Sequence, residues 1–202
     1  MKKGIRIVGI AIICIGIIVG YYYYLSNHGK KDVENSTEIS KVDEALSRDL
    51  AKDYPPTPRE GVKFYNKLLQ CFYNEDCSKS EIEELGGQAR LLMDDALLAN
   101  NPKEQYLTLL ESDIQDSKDK GKTISDTTVA NSSDIKYQKV KGEECAYVTA
   151  SYFVKEGNSY TRTYEEYVLR KDTNKQWKIL GYQLTKGDSS DCLLYTSPSP
   201  RD

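Results

Sequence analysis

The hydrophobic pattern divides the chain into an apolar block, a polar stretch, a helical half and a strand half. The block comes first. After Met1-Lys2-Lys3-Gly4 the residues from Ile5 to Val19 are apolar except for Arg6, and the run closes on Gly20 and Tyr21 to Tyr24. With no polar face, such a run predicts a membrane span rather than an amphipathic helix, since about twenty apolar residues cross a hydrocarbon core. Basic residues before it and tyrosines after it match the two interfaces of a bilayer, and the exit lacks the small residues of a signal-peptidase site. Residues 1–25 are therefore expected to be a single-pass transmembrane anchor contacting the lipid bilayer. Lys2, Lys3 and Arg6 bias it toward a cytoplasmic N-terminus and an extracytoplasmic C-terminal domain.

From Ser26 to Pro56 the chain is polar and charged with few large apolar residues, which predicts a flexible tether over 26–56. Order is expected from Thr57. Thr57-Pro58-Arg59-Glu60 combines a capping hydroxyl, a proline at the first helical position and a glutamate at the third, and Val62, Tyr65, Leu68, Leu69 and Phe72 recur at helical spacing. A second helix starts at Ser78 to Ser80, is expected to break at Gly86-Gly87 and resumes over Gln88 to Ala99. Asn101-Pro102-Lys103-Glu104 repeats the capping arrangement, ahead of Tyr106, Leu109, Leu110 and Ile114.

Past Lys122 the period shortens to two. Ala146, Val148, Ala150, Tyr152 and Val154 alternate with Tyr147, Thr149, Ser151 and Phe153, which predicts a strand with one buried face. Glu156-Gly157-Asn158 marks a hairpin turn before a strand from about Tyr160 to Arg170. Another turn leads to Trp177–Thr185, and earlier strands are expected within Thr123 to Val129 and Asp134 to Val140. Helices first and an antiparallel meander last define an α+β domain over 57–187. A disordered tail is expected over 188–202. Within it, Cys192 to Asp202 resembles one reading frame of a transposase-based sequencing adapter, so 192–202 is expected to be an artefact.

Composition narrows the chemistry. The formal net charge is −3, and Met1 to Leu25 holds three basic residues and no acidic one, so the outer portion is distinctly acidic. It offers no basic stripe, which argues against nucleic acid as a partner. The single histidine, His28, lies outside the domain, so histidine-based triads, Cys-His pairs and histidine zinc sites are not expected there. No phosphate-binding glycine loop occurs. Neither metal nor cofactor is expected. The outer cysteines are Cys71, Cys77 and Cys145: Cys71 and Cys77 flank a helix end and suit a short-loop disulfide, and Cys145 reads as a small buried side chain. The pairs Asp94-Asp95 and Glu165-Glu166 are expected on the solvated surface, and neighbours along a strand point to opposite faces.

Two resemblances follow. Helices packed on a curved antiparallel sheet that closes on Gln176-Trp177-Lys178-Ile179-Leu180-Gly181-Tyr182 look like the cone-shaped domain related to nuclear transport factor 2 (NTF2-like). Thr57-Pro58-Arg59-Glu60, Leu98-Ala99-Asn100-Asn101-Pro102, Cys145-Ala146-Tyr147-Val148 and Tyr160-Thr161-Arg162-Thr163-Tyr164 resemble an uncharacterised domain family of unknown function found in anchored proteins of gut clostridia, over roughly Pro56 to Thr185. The resemblance implies a fold and an address, and no catalytic residue. Cone domains often hold an apolar pocket between helices and sheet. Tyr147, Tyr152, Tyr164, Tyr167, Trp177 and Tyr182 lie on the strands that would floor it, either as pocket walls or as core and cross-strand pairs. The expectation is a non-catalytic binding or envelope-assembly module, engaging an envelope protein or a small ligand. The alternative is an enzyme using a pocket carboxylate and tyrosines on a small apolar substrate.

Overall fold

The computed structural model describes residues 40–186. The expected span at 1–25, the first part of the tether and the tail from residue 187 lie outside them. No helix among the described residues is long and apolar enough to cross a membrane.

The domain is α+β, with a group of helices packed on one face of an antiparallel sheet. The helices are α1 (Lys41–Leu46), α2 (Pro58–Asn74), α3 (Lys79–Leu91), α4 (Asp95–Asn100) and α5 (Lys103–Asp119). The strands are β1 (Lys122–Val129), β2 (Lys136–Val140), β3 (Glu143–Glu156), β4 (Ser159–Lys171) and β5 (Trp177–Thr185). The sheet runs β1-β3-β4-β5, and β2 pairs with the other end of β3 along the edge that β1 uses. Extra residues at Ser125 and Leu180 make bulges, where the pairing slips by one. Bulges bend a strand and re-aim the side chains beyond them.

Local chemistry sets the helix starts. The Thr57 hydroxyl accepts from Glu60 N at the head of α2, and Ser78 and Glu81 form a reciprocal capping box on α3. The buried face of α2 carries Val62, Tyr65, Leu68 and Phe72. It lies against the alternate residues Ala146, Val148, Ala150 and Tyr152 of β3 and Tyr167 and Leu169 of β4, which face one way because strand side chains alternate.

Three expectations about organisation are corrected. Residues 40–56, assigned to the tether, belong to the domain: α1 forms there, and Val42, Ala45, Leu50 and Pro55 are buried. Six residues cannot hold a helix alone, so α1 exists through its docking on α2 and α3, where Lys41 O accepts from Cys71 Sγ. Gly86-Gly87 does not break the second helix, because α3 runs through both. A β-carbon on Gly86 would stand 2.8 Å from Leu107 Cδ2, so its absence lets α5 pack closely. The break falls at residues 92–94, where the Asp94 carboxylate accepts from Ala96 N to start α4. Finally, Asn101 does not cap α5. Its side chain donates back to Leu97 O at the end of α4.

The exposed edge of β5 is partly covered by this break. Ile179 N donates to Leu92 O at 2.8 Å and Asp94 N donates to Ile179 O at 2.9 Å, a parallel bridge centred on Met93. An unpaired sheet edge is a template for misassembly, and this bridge covers it at Ile179.

Candidate functional site

A cavity of about 160 Å³ opens between α2 and the sheet. Alternation decides its floor. Thr163, Glu165 and Tyr167 of β4 stand opposite Tyr152, Ala150 and Val148 of β3, and Tyr182 of β5 stands opposite Tyr167. From the helix side come Tyr65, Leu69 and Tyr73, spaced by four along α2 and so on one face. Ile124 and Lys122 of β1 complete the rim.

From it into the core, four polar groups stand in series. Glu165 Oε2 is 2.8 Å from Tyr167 Oη, Tyr167 Oη is 2.6 Å from Tyr152 Oη, and Tyr152 Oη is 2.7 Å from Asn66 Oδ1. Asn66 is 1% exposed, and its Nδ2 is buried with no acceptor. Burial raises the Glu165 carboxyl above its ordinary range, and its bond to Tyr167 pulls it partly back. Burial also pushes the Tyr152 and Tyr167 hydroxyls far above the usual phenol range. Both phenols are therefore neutral, hydrogen-bonding groups at any physiological pH. Rings frame the chain: Tyr65 meets Tyr167 edge-on at 5.9 Å, and Tyr182 leans on Tyr167 at 5.4 Å. Behind Tyr73, whose hydroxyl donates to Asp113 Oδ2, stands α5.

The sheet separates the residues that the sequence grouped. Tyr152, Tyr167 and Tyr182 line this cavity. Tyr147 and Tyr164 have the opposite parity and line a groove on the other face, with Glu166. Trp177 pairs with Lys171 at the far end of β4, six positions from Glu165 and so roughly 20 Å away. There its carbonyl accepts from Tyr54 Oη, and its ring packs on Tyr137 and under the Lys171 ammonium.

Two carboxylates leave the surface positions expected for them. Glu165 is half-buried in the cavity, and Asp94 is 3% exposed under a bidentate bond from Arg170. The Cys71–Cys77 disulfide is not formed in the structure: both are free thiols, and Cys77 Sγ donates to Cys71 O at 3.5 Å. Burial pushes the Cys71 thiol up to about 11. Sequence reasoning missed Tyr73, Asn66 and Glu165 as cavity groups. The Tyr65-Leu69-Tyr73 spacing could have shown the first, and the parity of Glu165 with Tyr167 the last.

Among the described residues no group of His, Cys, Asp or Glu side chains could hold a metal ion. The chain matches, over residues 1–182, a family described as a domain of unknown function, DUF6715. It belongs to that family. The matched region spans the N-terminal apolar run and every residue that lines the cavity. No curated protein matches the chain.

Proposed function

We propose that this chain is a membrane-anchored, extracytoplasmic binding module whose cavity takes a small ligand without transforming it. The observation that carries the reading is the cavity itself: an opening of benzene-molecule size, about 160 Å³, walled by tyrosines around one half-buried carboxyl. Small-molecule sites join aromatic and aliphatic walls to convergent polar groups, and here Leu69, Ile124 and Val154 stand beside the tyrosines and Glu165. The address rests on the Met1–Leu25 run and its basic and aromatic flanks. The finer fold assignment, an NTF2-like cone of clostridial type, is part of the proposal; three long helices over an antiparallel sheet, with a cavity between the layers, support it.

A second reading, an enzyme, is favoured by the raised Glu165 carboxyl inside a tyrosine-lined cavity, where a general base could sit. Against it, the Tyr152 and Tyr167 hydroxyls are bonded to each other, to Asn66 and to Glu165, which suits them to orienting rather than to reacting.

The test uses the full chain in dodecyl maltoside with ¹³C-labelled tyrosine rings. It is titrated with three probes of cavity size: phenol, tert-butanol and tetramethylammonium. Movement of the Tyr152, Tyr167 and Tyr182 signals with at least one probe supports the binding reading, and no movement with any probe overturns it. For the address, protease added outside intact cells should remove the domain, and protection there would refute it.

A further inference from the structure

We infer that the cavity is a site for a small organic cation, taken up in exchange for the proton of Glu165. This rests on the small-ligand reading above and names its ligand class.

The argument begins with a proton count. Three oxygen–oxygen contacts link Glu165, Tyr167, Tyr152 and the Asn66 carbonyl oxygen. Each needs one proton between its oxygens. The two phenols supply two, and a carbonyl oxygen supplies none. With Asn66 Oδ1 toward Tyr152, the third proton has to come from Glu165. With the Asn66 amide in this orientation the chain runs from the Glu165 acid to Tyr167, on to Tyr152 and then to Asn66 Oδ1.

Half a turn of the amide reverses it. Asn66 Nδ2, which otherwise lies buried with no acceptor, then donates to Tyr152, Tyr152 to Tyr167, and Tyr167 to an ionised Glu165. Each contact of the chain again holds one proton, and Asn66 Oδ1 takes over the partnerless position of Nδ2. The site therefore accommodates both protonation states of Glu165 without leaving a gap in the chain, where a half-satisfied buried network would be costly.

An ionised Glu165 calls for a counter-charge. It is the single acidic side chain lining the cavity, and desolvation is the largest influence on it. The groups that face it are Tyr152 from β3, Lys122 from β1, Tyr182 from β5 and Tyr65 and Tyr73 from α2, with Asp113 of α5 behind Tyr73. Lys122 is exposed and forms no ion pair with Glu165 among the described residues. Five of the other lining residues are tyrosines, Tyr65, Tyr73, Tyr152, Tyr167 and Tyr182, and aromatic rings attract cations strongly once water is removed. A cation of cavity size thus meets a carboxylate and rings together. On binding, the cation enters, the Glu165 proton leaves to solvent, and the charge in the cavity is conserved.

The sign follows from the exchange. A cation beside Glu165 lowers its pKa from the raised value of the free site. Between the bound and free pKa values one proton is released per cation, so affinity rises about tenfold per pH unit and levels off above the free value. The full chain in dodecyl maltoside is titrated with tetramethylammonium and with its neutral counterpart of similar shape, tert-butanol, from pH 4 to 8. Expected are tighter binding of the cation, the stated pH slope, and proton release measured calorimetrically in two buffers of different ionisation enthalpy. Glu165→Gln, checked for folding by circular dichroism, should remove the slope and the proton release. Lys122→Gln should tighten the cation. Binding of tert-butanol as tight as that of the cation, or a flat pH profile in the wild type, overturns the inference and leaves the small-ligand reading standing. Silence from every probe removes both.

Discussion

Arg170 of β4 grips Asp94, the residue that breaks the helical layer, with Nε to Oδ2 at 2.9 Å and Nη2 to Oδ1. The third guanidinium nitrogen, Nη1, reaches Glu143 Oε2 at 2.7 Å. The same Asp94 caps α4 and donates its backbone N–H to β5. One residue thus ties helix start, strand edge and sheet together.

Removing one member of this pair strands the other. Asp94→Ala should cost about 3 kcal/mol in chemical denaturation, at the low end for a broken buried pair because Arg170 keeps some solvent contact. Arg170→Met alone should be similarly harmful, and the double variant should cost less than the sum. A strictly additive cycle would show that the fork is not coupled.

The two neighbouring glycines of α3 should respond in opposite directions to alanine. Gly87→Ala meets open space and gains about 0.5–1 kcal/mol from the lower entropy of the unfolded chain. Gly86→Ala must displace Leu107, whose Cδ2 lies 2.8 Å from the new methyl, and should be neutral or destabilising. Thermal unfolding of the two variants decides it.

Tyr152→Phe and Tyr167→Phe each interrupt the chain that ends at Asn66. Each should cost about 1–2 kcal/mol. The pair should cost less than the two singles together, since the second loss falls on a chain already cut. Equilibrium unfolding in urea measures all three.

Glu165 gives a pH dependence of stability with a defined sign. Its folded pKa is raised by burial, so the folded state holds the proton more tightly than the unfolded state. Stability is greatest below the unfolded glutamate pKa and falls as pH rises through the folded one. Glu165→Gln removes that fall. The gap between variant and wild type should widen in favour of the variant from pH 4 upward, and a constant gap would contradict it.

The free thiols should be distinguished by alkylation. Cys77 is partly exposed and Cys71 is buried. Iodoacetamide at neutral pH should label Cys77 first and Cys71 only after unfolding, read by mass spectrometry. Failure of both to react without reductant would restore the disulfide.

Local pattern carried the elements well. The caps at Thr57 and Ser78, the alternation from Ala146 to Val154 and the turn at Gly157-Asn158 act over a few residues, and all of them are found in place. The misreadings share a cause. Val42, Ala45 and Leu50 look too sparse to fold, Gly86 looks like a breaker, and Asp94 and Glu165 look solvated, because in each case the partner lies far along the chain.

By itself the sequence determined the class of the fold, the succession of helices before strands and the alternation along Ala146 to Val154, because backbone geometry and capping are local. It even implied that Glu165 and Glu166 part company. Which tyrosines share a cavity was decided only by tertiary structure. Strand register sets Tyr152, Tyr167 and Tyr182 on one side and Tyr147 and Tyr164 on the other. Helix packing then brings Tyr65, Asn66 and Tyr73 over the first group, and burial among them, a property of no single segment, raises the Glu165 carboxyl above its ordinary range.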